Sequence, residues 1–341
     1  MPTTYAIPDG RTVMAATTYT GTGATQTISN SANGVSFQPD LVWVKGRSGA
    51  TDHALYDAVR GVQKQLESNN TAAETTETTG LTAFGSTGFT VGALAQMNTS
   101  AATYVAWQWN AGGSTVTNTS GTISAQVRAN PTAGFSIVTY TGTGANATVG
   151  HGLGVTPGMV IVKARSTTGD WCVTMPTLGS NNVVFLNLTN AAASFPTVFN
   201  GLPTSTIFNI GTAGSTNTNA ATFVAYCFAA VAGYSAFGSY TGNGSADGPF
   251  TYLGFRPRFI MFKRTDSTGS WFMEDSSRGT YNVMGPELYA ESSAAEATSN
   301  RLDFLSNGFK MRAANAGDNA NGGTYIYMAF AENPFKYANA R

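Results

Sequence analysis

Charge is scarce in this sequence. Only 18 Lys and Arg and 18 Asp and Glu occur among 341 residues, so charged residues make up 11% where an ordinary soluble domain carries roughly 25%. The two signs cancel, which leaves no basic footprint for a phosphate backbone or an anionic membrane, and nucleic acid is not an expected partner. Histidine is scarcer still. His53 and His151 lie far apart in the chain, so no clustered zinc set can be built on them. Cysteine is limited to Cys172 and Cys227, too few for the staple framework of a small secreted domain, and both are expected to be buried free thiols. No stretch reaches about 18 consecutive apolar residues, and Met1 to Gly10 holds no apolar run that a secretion machinery would read. The expectation is a soluble protein made in the cytosol, without membrane insertion.

What is abundant is Thr, Ser, Asn and Gly around an apolar content of 42%, enough for folded cores. A neutral surface of hydroxyls and amides suits strands and turns, because these side chains hydrogen-bond locally and β-branched Thr favours the extended chain. The length favours two or three domains.

Self-similarity settles the number at three. Tyr-Thr-Gly-x-Gly occurs at Tyr19 to Gly23, Tyr140 to Gly144 and Tyr240 to Gly244, followed by Pro39, Pro157 and Pro257. Lys45, Lys163 and Lys263 stand at one shared distance beyond those prolines, and His53, Trp171 and Trp271 at one shared distance beyond the lysines. Gly61, Gly179 and Gly279 complete the series. The stretch before each lysine, such as Leu41-Val42-Trp43-Val44, is apolar on both alternating faces and reads as a central strand. Polar segments between lysine and His or Trp read as hairpin loops. Each repeat closes on a strand, Thr103 to Trp109, Thr222 to Phe228 and Thr324 to Phe330, whose core face carries Val105, Trp107 and Trp109 or their counterparts. Phe84 to Phe89 and Phe304 to Phe309 read as tight turns between two strands.

The fold class expected is all-β, with three tandem β-sandwich, jelly-roll-like modules. The boundaries are an N-terminal arm over 1–18, repeats over 19–113, 134–229 and 230–341, and a linker over 114–133. A short helix is expected from about Ala54 to Leu66.

Several strings resemble proteins of tailed bacteriophages, of the uncharacterised or tail-fibre type. They are Gly134-Phe135-Ser136-Ile137-Val138-Thr139-Tyr140-Thr141-Gly142, Gly150-His151-Gly152-Leu153-Gly154, Gly233 to Gly244, and Thr324-Tyr325-Ile326-Tyr327-Met328-Ala329-Phe330-Ala331-Glu332-Asn333-Pro334-Phe335. The resemblance covers most of the chain. It implies a virion protein on the tail or particle surface, structural or adhesive, with no catalytic residues, cofactor or metal to carry over. Its partners would be other virion proteins, copies of itself, and a host surface glycan or protein. A capsid decoration role is the alternative, since the first repeat starts so near Met1.

Candidate chemistry is thin. Glu274 and Asp275 are the obvious pair for a glycan depolymerase, the third reading, but neighbours on a strand point to opposite faces and cannot flank one bond. The Asp-x-x-Arg-Gly pattern at Asp57 and Asp275 is expected to be a structural ion pair. Gly150 to Gly154 is expected to be a turn and not an anion cradle. Trp43, Trp171 and Trp271 could stack on sugars, yet core or interface packing suits their apolar strands better. The hairpin loops are the candidate partner contacts, through Arg47, Asp52, Arg165, Asp170, Arg264 and Asp266. The second faces of the closing strands, with Tyr104, Phe223, Tyr325 and Tyr327, need a cover, and a homo-oligomer, a trimer above all, is expected to supply part of it.

Overall fold

The computed structural model describes residues 4–334, with side chains described to residue 332. The fold is all-β, as composition and alternation predict. Each sequence repeat contributes an opening strand (Met14–Thr20, Phe135–Thr141, Ser235–Thr241) and a central strand (Leu41–Gly46, Met159–Ala164, Phe255–Arg264). A hairpin strand (Ala54–Asp57, Cys172–Thr174, Trp271–Asp275) and a closing strand (Thr103–Trp109, Thr222–Phe228, Thr324–Pro334) follow. In all three the sheet order is opening, closing, central, hairpin. The registers agree residue by residue. Tyr19 pairs with Tyr104, Tyr140 with Phe223 and Tyr240 with Tyr325. Lys45 pairs with Val105, Lys163 with Val224 and Lys263 with Ile326.

Period two splits each closing strand between two cores. Tyr104 and Ala106 face a second layer of their own repeat, formed by Gln26–Ser29, Leu81–Gly85 and Gly88–Val91, and pack there with Ile28, Phe89 and Met97. Val105, Trp107 and Trp109 face the other repeats and join one core with Tyr226, Phe228, Met328 and Phe330. Trp109, Phe228 and Phe330 hold the same position in the three repeats and meet one another, with ring centroids 6.1, 5.7 and 5.8 Å apart. Three equivalent strand ends in mutual contact place a pseudo-three-fold axis between the repeats. Burying each of these rings is worth about 1.5–3 kcal/mol.

The aromatic second faces are therefore covered from within. Tyr104, Phe223 and Tyr325 are at most 1% exposed and Tyr327 is 7% exposed, so the surface that called for a further subunit is filled by the chain's own second layers.

Two expectations about local structure need correction. Ala54 to Leu66 is no helix: Ala54–Asp57 is a strand, and a turn leads to a short strand, Lys64–Gln65. Ala54 and Tyr56 enter one core while Leu55 enters the other, and this two-sided burial imitates the looser spacing of a helix. The Thr-rich linker is strand-like, as its extended composition suggests. Val116–Asn118 and Ala125–Asn130 add onto Phe135–Thr141 and widen the sheet of the second repeat, and the opening strand of the first repeat begins inside the expected arm, at Met14.

The Tyr-Thr-Gly-x-Gly motif is accounted for by geometry. The tyrosine hydroxyls of Tyr19, Tyr140 and Tyr240 donate to the carbonyls of Met97, Thr216 and Asp318 at 2.7–2.8 Å. A Cβ on Gly21 would stand 2.1 Å from the Thr99 carbonyl oxygen, and Gly23 has φ +71°, so neither position takes a side chain. A buried asparagine fixes each loop: Asn98, Asn217 and Asn319 accept from the backbone N–H of Thr22, Thr143 and Asn243 at 2.7–2.8 Å.

Candidate functional site

The hairpin loops stand at the end of the sheet where the central strands finish, and there each repeat meets the next. Lys45 Nζ donates to the carbonyls of Ser293 and Ala294, Lys163 Nζ to that of Thr71, and Lys263 Nζ to that of Thr189, at 2.8–3.2 Å. The first repeat thus binds the third, the second the first and the third the second. The next position along repeats the cycle. Trp171 Nε1 donates to Glu67 O at 2.7 Å and Trp271 Nε1 to Phe185 O at 2.9 Å. His53 bonds Tyr289 O through Nε2, because its Nδ1 accepts from Trp43 Nε1. The contact set closes after three steps, so each repeat touches both of the others at this end of the sheets.

Burial pushes all three lysines down to about 8. Burial, then the nearby Lys45 charge, pushes His53 down to about 3, so its imidazole is neutral in the fold.

The three seams differ in chemistry. Between the first and second repeats, Asp57 pairs with Arg60 and accepts from Tyr226 Oη at 2.8 Å, while Glu74 binds Arg60 at 3.0 Å and Arg165 at 2.9 Å. Between the third and first, Asp275 pairs with Arg278 at 2.6 Å and accepts from Trp107 Nε1 at 3.0 Å, while Glu296 binds Arg278 at 3.0 Å and Arg47 at 2.8 Å. Between the second and third, the same positions hold Met175, Leu178, Ala192 and Met328, all apolar. Burial would raise Glu74 and Glu296, but hydrogen bonds and charge from their arginines outweigh it and hold both below the usual range. The same balance, with Arg278 as partner, lowers Asp275.

All six residues singled out for partner contact are engaged within the chain. Arg47 and Arg165 close the charged seams. Asp52 and Asp170 accept from Asn69 and Asn187 at 2.6 and 2.8 Å, and these asparagines in turn receive the N–H of His53 and Trp171. Arg264 pairs with Asp266 in its own loop at 2.9 Å. Counted from the lysines, Thr265 and not Arg264 is the counterpart of Arg47 and Arg165, which is why Arg264 reaches no neighbour. The Arg264–Asp266 pair is the more open one, with Asp266 37% exposed.

Two shallow hollows of about 250 Å³ open beside these loops. One is lined by Gly46, Ser48, Gly49, Thr51, Thr99 and Thr103, the other by Ser124, Gln126, Thr139, Thr141, Arg165 and Thr222. Serine and threonine line both, in the first beside Ala102 and Tyr104, and neither lining holds a carboxylate or a histidine. The remaining candidates are structural. Trp43, Trp171 and Trp271 are buried. His151 closes a turn, its Nδ1 accepting from Leu153 N–H at 3.2 Å. Asp275 and Glu274 point to opposite sides, the first into the seam and the second into the core of the third repeat, where no partner reaches either oxygen of Glu274. Burial raises Glu274 well above the usual carboxyl range. Cys172 and Cys227 are free and buried. Among the described residues no group of three or more His, Cys, Asp or Glu is placed to hold a metal ion, and no helix is long and apolar enough to cross a membrane.

Sequence reasoning missed the asparagines behind the Tyr-Thr-Gly-x-Gly loops, although a signal exists: Asn98, Asn217 and Asn319 precede the first threonine of their closing strands by one common interval. It also missed Glu74 and Glu296, which lie at different distances from the preceding repeat glycine and carry no such signal.

No curated protein matches the chain. A family model does, over residues 9–334, a span that takes in all three repeats and every seam between them. The chain belongs to the family described as a domain of unknown function, DUF7483.

Proposed function

We propose that the protein is a non-enzymatic structural or adhesive component of a tailed-phage virion, of the tail-fibre or receptor-binding type. The carrying observation is the ring: three repeats in one register, closed by a cycle of buried lysines, with Arg47 and Arg165 spent on holding β modules together and the other polar groups singled out by sequence engaged within their own repeats. Treating the repeats as copies of one module rests on those shared registers. The sequence strings that resemble phage surface proteins support the same reading. Contact with a host glycan or protein, or with other virion proteins, falls to the exposed loops and the hydroxyl-lined hollows, since loops on a rigid scaffold carry recognition.

The capsid decoration reading differs in location alone. Cryo-EM or immunogold labelling of the intact particle tests both: density or label on the tail supports the first, on the head the second, and absence from the particle refutes both. The depolymerase reading is disfavoured by Glu274, buried without a partner, and Asp275, committed to Arg278 and Trp107. Release of reducing ends from host polysaccharide by the purified chain would restore it.

A further inference from the structure

The unequal seams assign the three repeats unequal roles. The first repeat is bounded on both sides by a charged seam, whereas the second and third meet through Met175, Leu178, Ala192 and Met328. We propose that the first repeat is an acid-released unit, which undocks from the ring as pH falls while the second and third repeats stay joined.

The charged groups facing each boundary carry the argument. At the boundary with the third repeat, Lys45, Arg47 and His53 meet Asp275, Arg278 and Glu296, and Asp52 lies near Lys45. Deeper along the same boundary, Arg258 donates to the Ala16 carbonyl and pairs with Glu332, and Asp9 and Arg11 are its further charged neighbours. At the boundary with the second repeat, Asp57, Arg60 and Glu74 meet Arg165, Lys163 and Tyr226. The apolar seam presents Lys263 with Glu291 beside it, as Lys45 has Asp52 and Lys163 has Asp170, so a lysine with one nearby carboxylate recurs around the ring and does not distinguish one seam from another; burial raises Glu291, so its protonation does not open this seam.

The sign follows from which form each boundary holds. Glu74 and Glu296 are held ionised in part by Arg165 and Arg47 across the boundary, so the stability these contacts lend is present above the ordinary carboxyl range and is lost as pH falls through the lowered values, whereas Asp275 is held mainly by Arg278 of its own repeat. His53 is held neutral at the boundary with the third repeat, and undocking frees it to bind a proton. Each pH unit below about 6.5 then multiplies the undocking equilibrium about tenfold, until the folded value is reached. Asp40 opposes this. It pairs with Arg128 at 2.7 Å near the boundary with the second repeat, and burial raises it to about 6, so its protonation favours the docked form over a narrow range. Glu74, Glu296 and His53 act against it, and all three make contacts across the boundaries of the first repeat.

The test is pulsed hydrogen exchange on the full chain, equilibrated between pH 7.5 and 3.5 and read by mass spectrometry. Two seam amides report on the first repeat, Glu296 N–H to Arg47 O and Glu74 N–H to Arg165 O. Ala192 N–H to Thr265 O reports on the apolar seam. The first two should lose protection at higher pH than the third, and with them peptides covering 41–57 and 103–109. Loss of all three at one pH, or loss of the Ala192 amide first, overturns the proposal. A second variant keeps the reading specific: H53W installs the residue found at the equivalent position of the other repeats and should move release of the first repeat to lower pH. An unchanged midpoint in a folded H53W chain would remove His53 from the mechanism and overturn its stated role.

Discussion

The seams contain their own control experiment, because one ring builds the same junction with charge twice and without it once. Asp57 is buried and receives Arg60 and Tyr226, so Asp57→Ala leaves Glu74 as the carboxylate paired with the Arg60 guanidinium, beside the carbonyls of Leu55 and Lys64, and the Tyr226 hydroxyl without its acceptor. Removing one partner of a buried pair costs about 3–5 kcal/mol. At roughly 2.1 cal/mol/K per residue, a chain of 341 residues has an unfolding entropy of about 0.7 kcal/mol/K, so the melting temperature should fall by about 4–7 °C. Replacing the whole set by what the apolar seam uses has a different outcome. Asp57→Met, Arg60→Leu, Glu74→Ala and Tyr226→Met copy Met175, Leu178, Ala192 and Met328, and leave Arg165, about a fifth exposed, to solvent. Exchange of a buried ion pair for packed apolar groups is neutral or stabilising by about 1–4 kcal/mol. The fourfold variant should therefore melt at or above the parent temperature, with strong non-additivity between its parts. Scanning calorimetry of the single and fourfold variants measures this. A fourfold variant as unstable as Asp57→Ala would show that the seams are not interchangeable and that the shared register does not extend to their packing.

Three further outcomes follow from buried groups. Glu274 is raised by burial, so the stability tied to its protonated form is full below the unfolded value near 4.5 and is lost as pH rises through the folded value; the fold loses about 1.4 kcal/mol per pH unit over that range, and Glu274→Gln should flatten urea-unfolding stability between pH 4.5 and 7.5, parallel profiles refuting it. Asn98→Ala strips the N–H of Thr22 of its acceptor and the carbonyls of Ala24 and Gly92 of their donor, a loss of about 1–3 kcal/mol that should recur for Asn217→Ala and Asn319→Ala; denaturant midpoints unchanged in all three would refute the role given to these residues. Burial pushes the Cys172 thiol up to about 12 and raises Cys227 further, so neither should react with a thiol reagent in the native chain at pH 8 and both should react in denaturant, which a colorimetric titration reads directly.

How much of this was legible in the sequence depends on whether a contact lies within one repeat or between two. The opening, central and closing strands were visible because their alternation and spacing are repeated three times, and the turns at Ser86 and Asn307 because glycine and polar residues mark them locally. Ala54 to Leu66 misled because a strand buried on both faces, followed by a turn, has the apolar density of a helix. The Thr-rich linker was legible as strand-like but not as part of a sheet, since nothing local shows that Val127 will find Val138.

The closing strands illustrate the deeper limit. Sequence alternation identified two faces and looked to a second sheet, and in part to a further subunit, to cover one of them; each face has an internal cover, one from its own second layer and one from the other two repeats. The residues that decide this, Asp57 with Tyr226, Asp275 with Trp107 and Met175 with Met328, sit in different repeats and change together. An acceptor stands opposite a donor where the partner is Tyr or Trp, and methionine holds both equivalent positions at the remaining seam, because a buried hydroxyl or indole N–H without an acceptor would cost about 1–3 kcal/mol. Read one repeat at a time, Met175 looks like a lapse from the Asp-x-x-Arg-Gly pattern. Read around the ring, it keeps the second repeat's side of the seam apolar, as Met328 does at the equivalent position of the third.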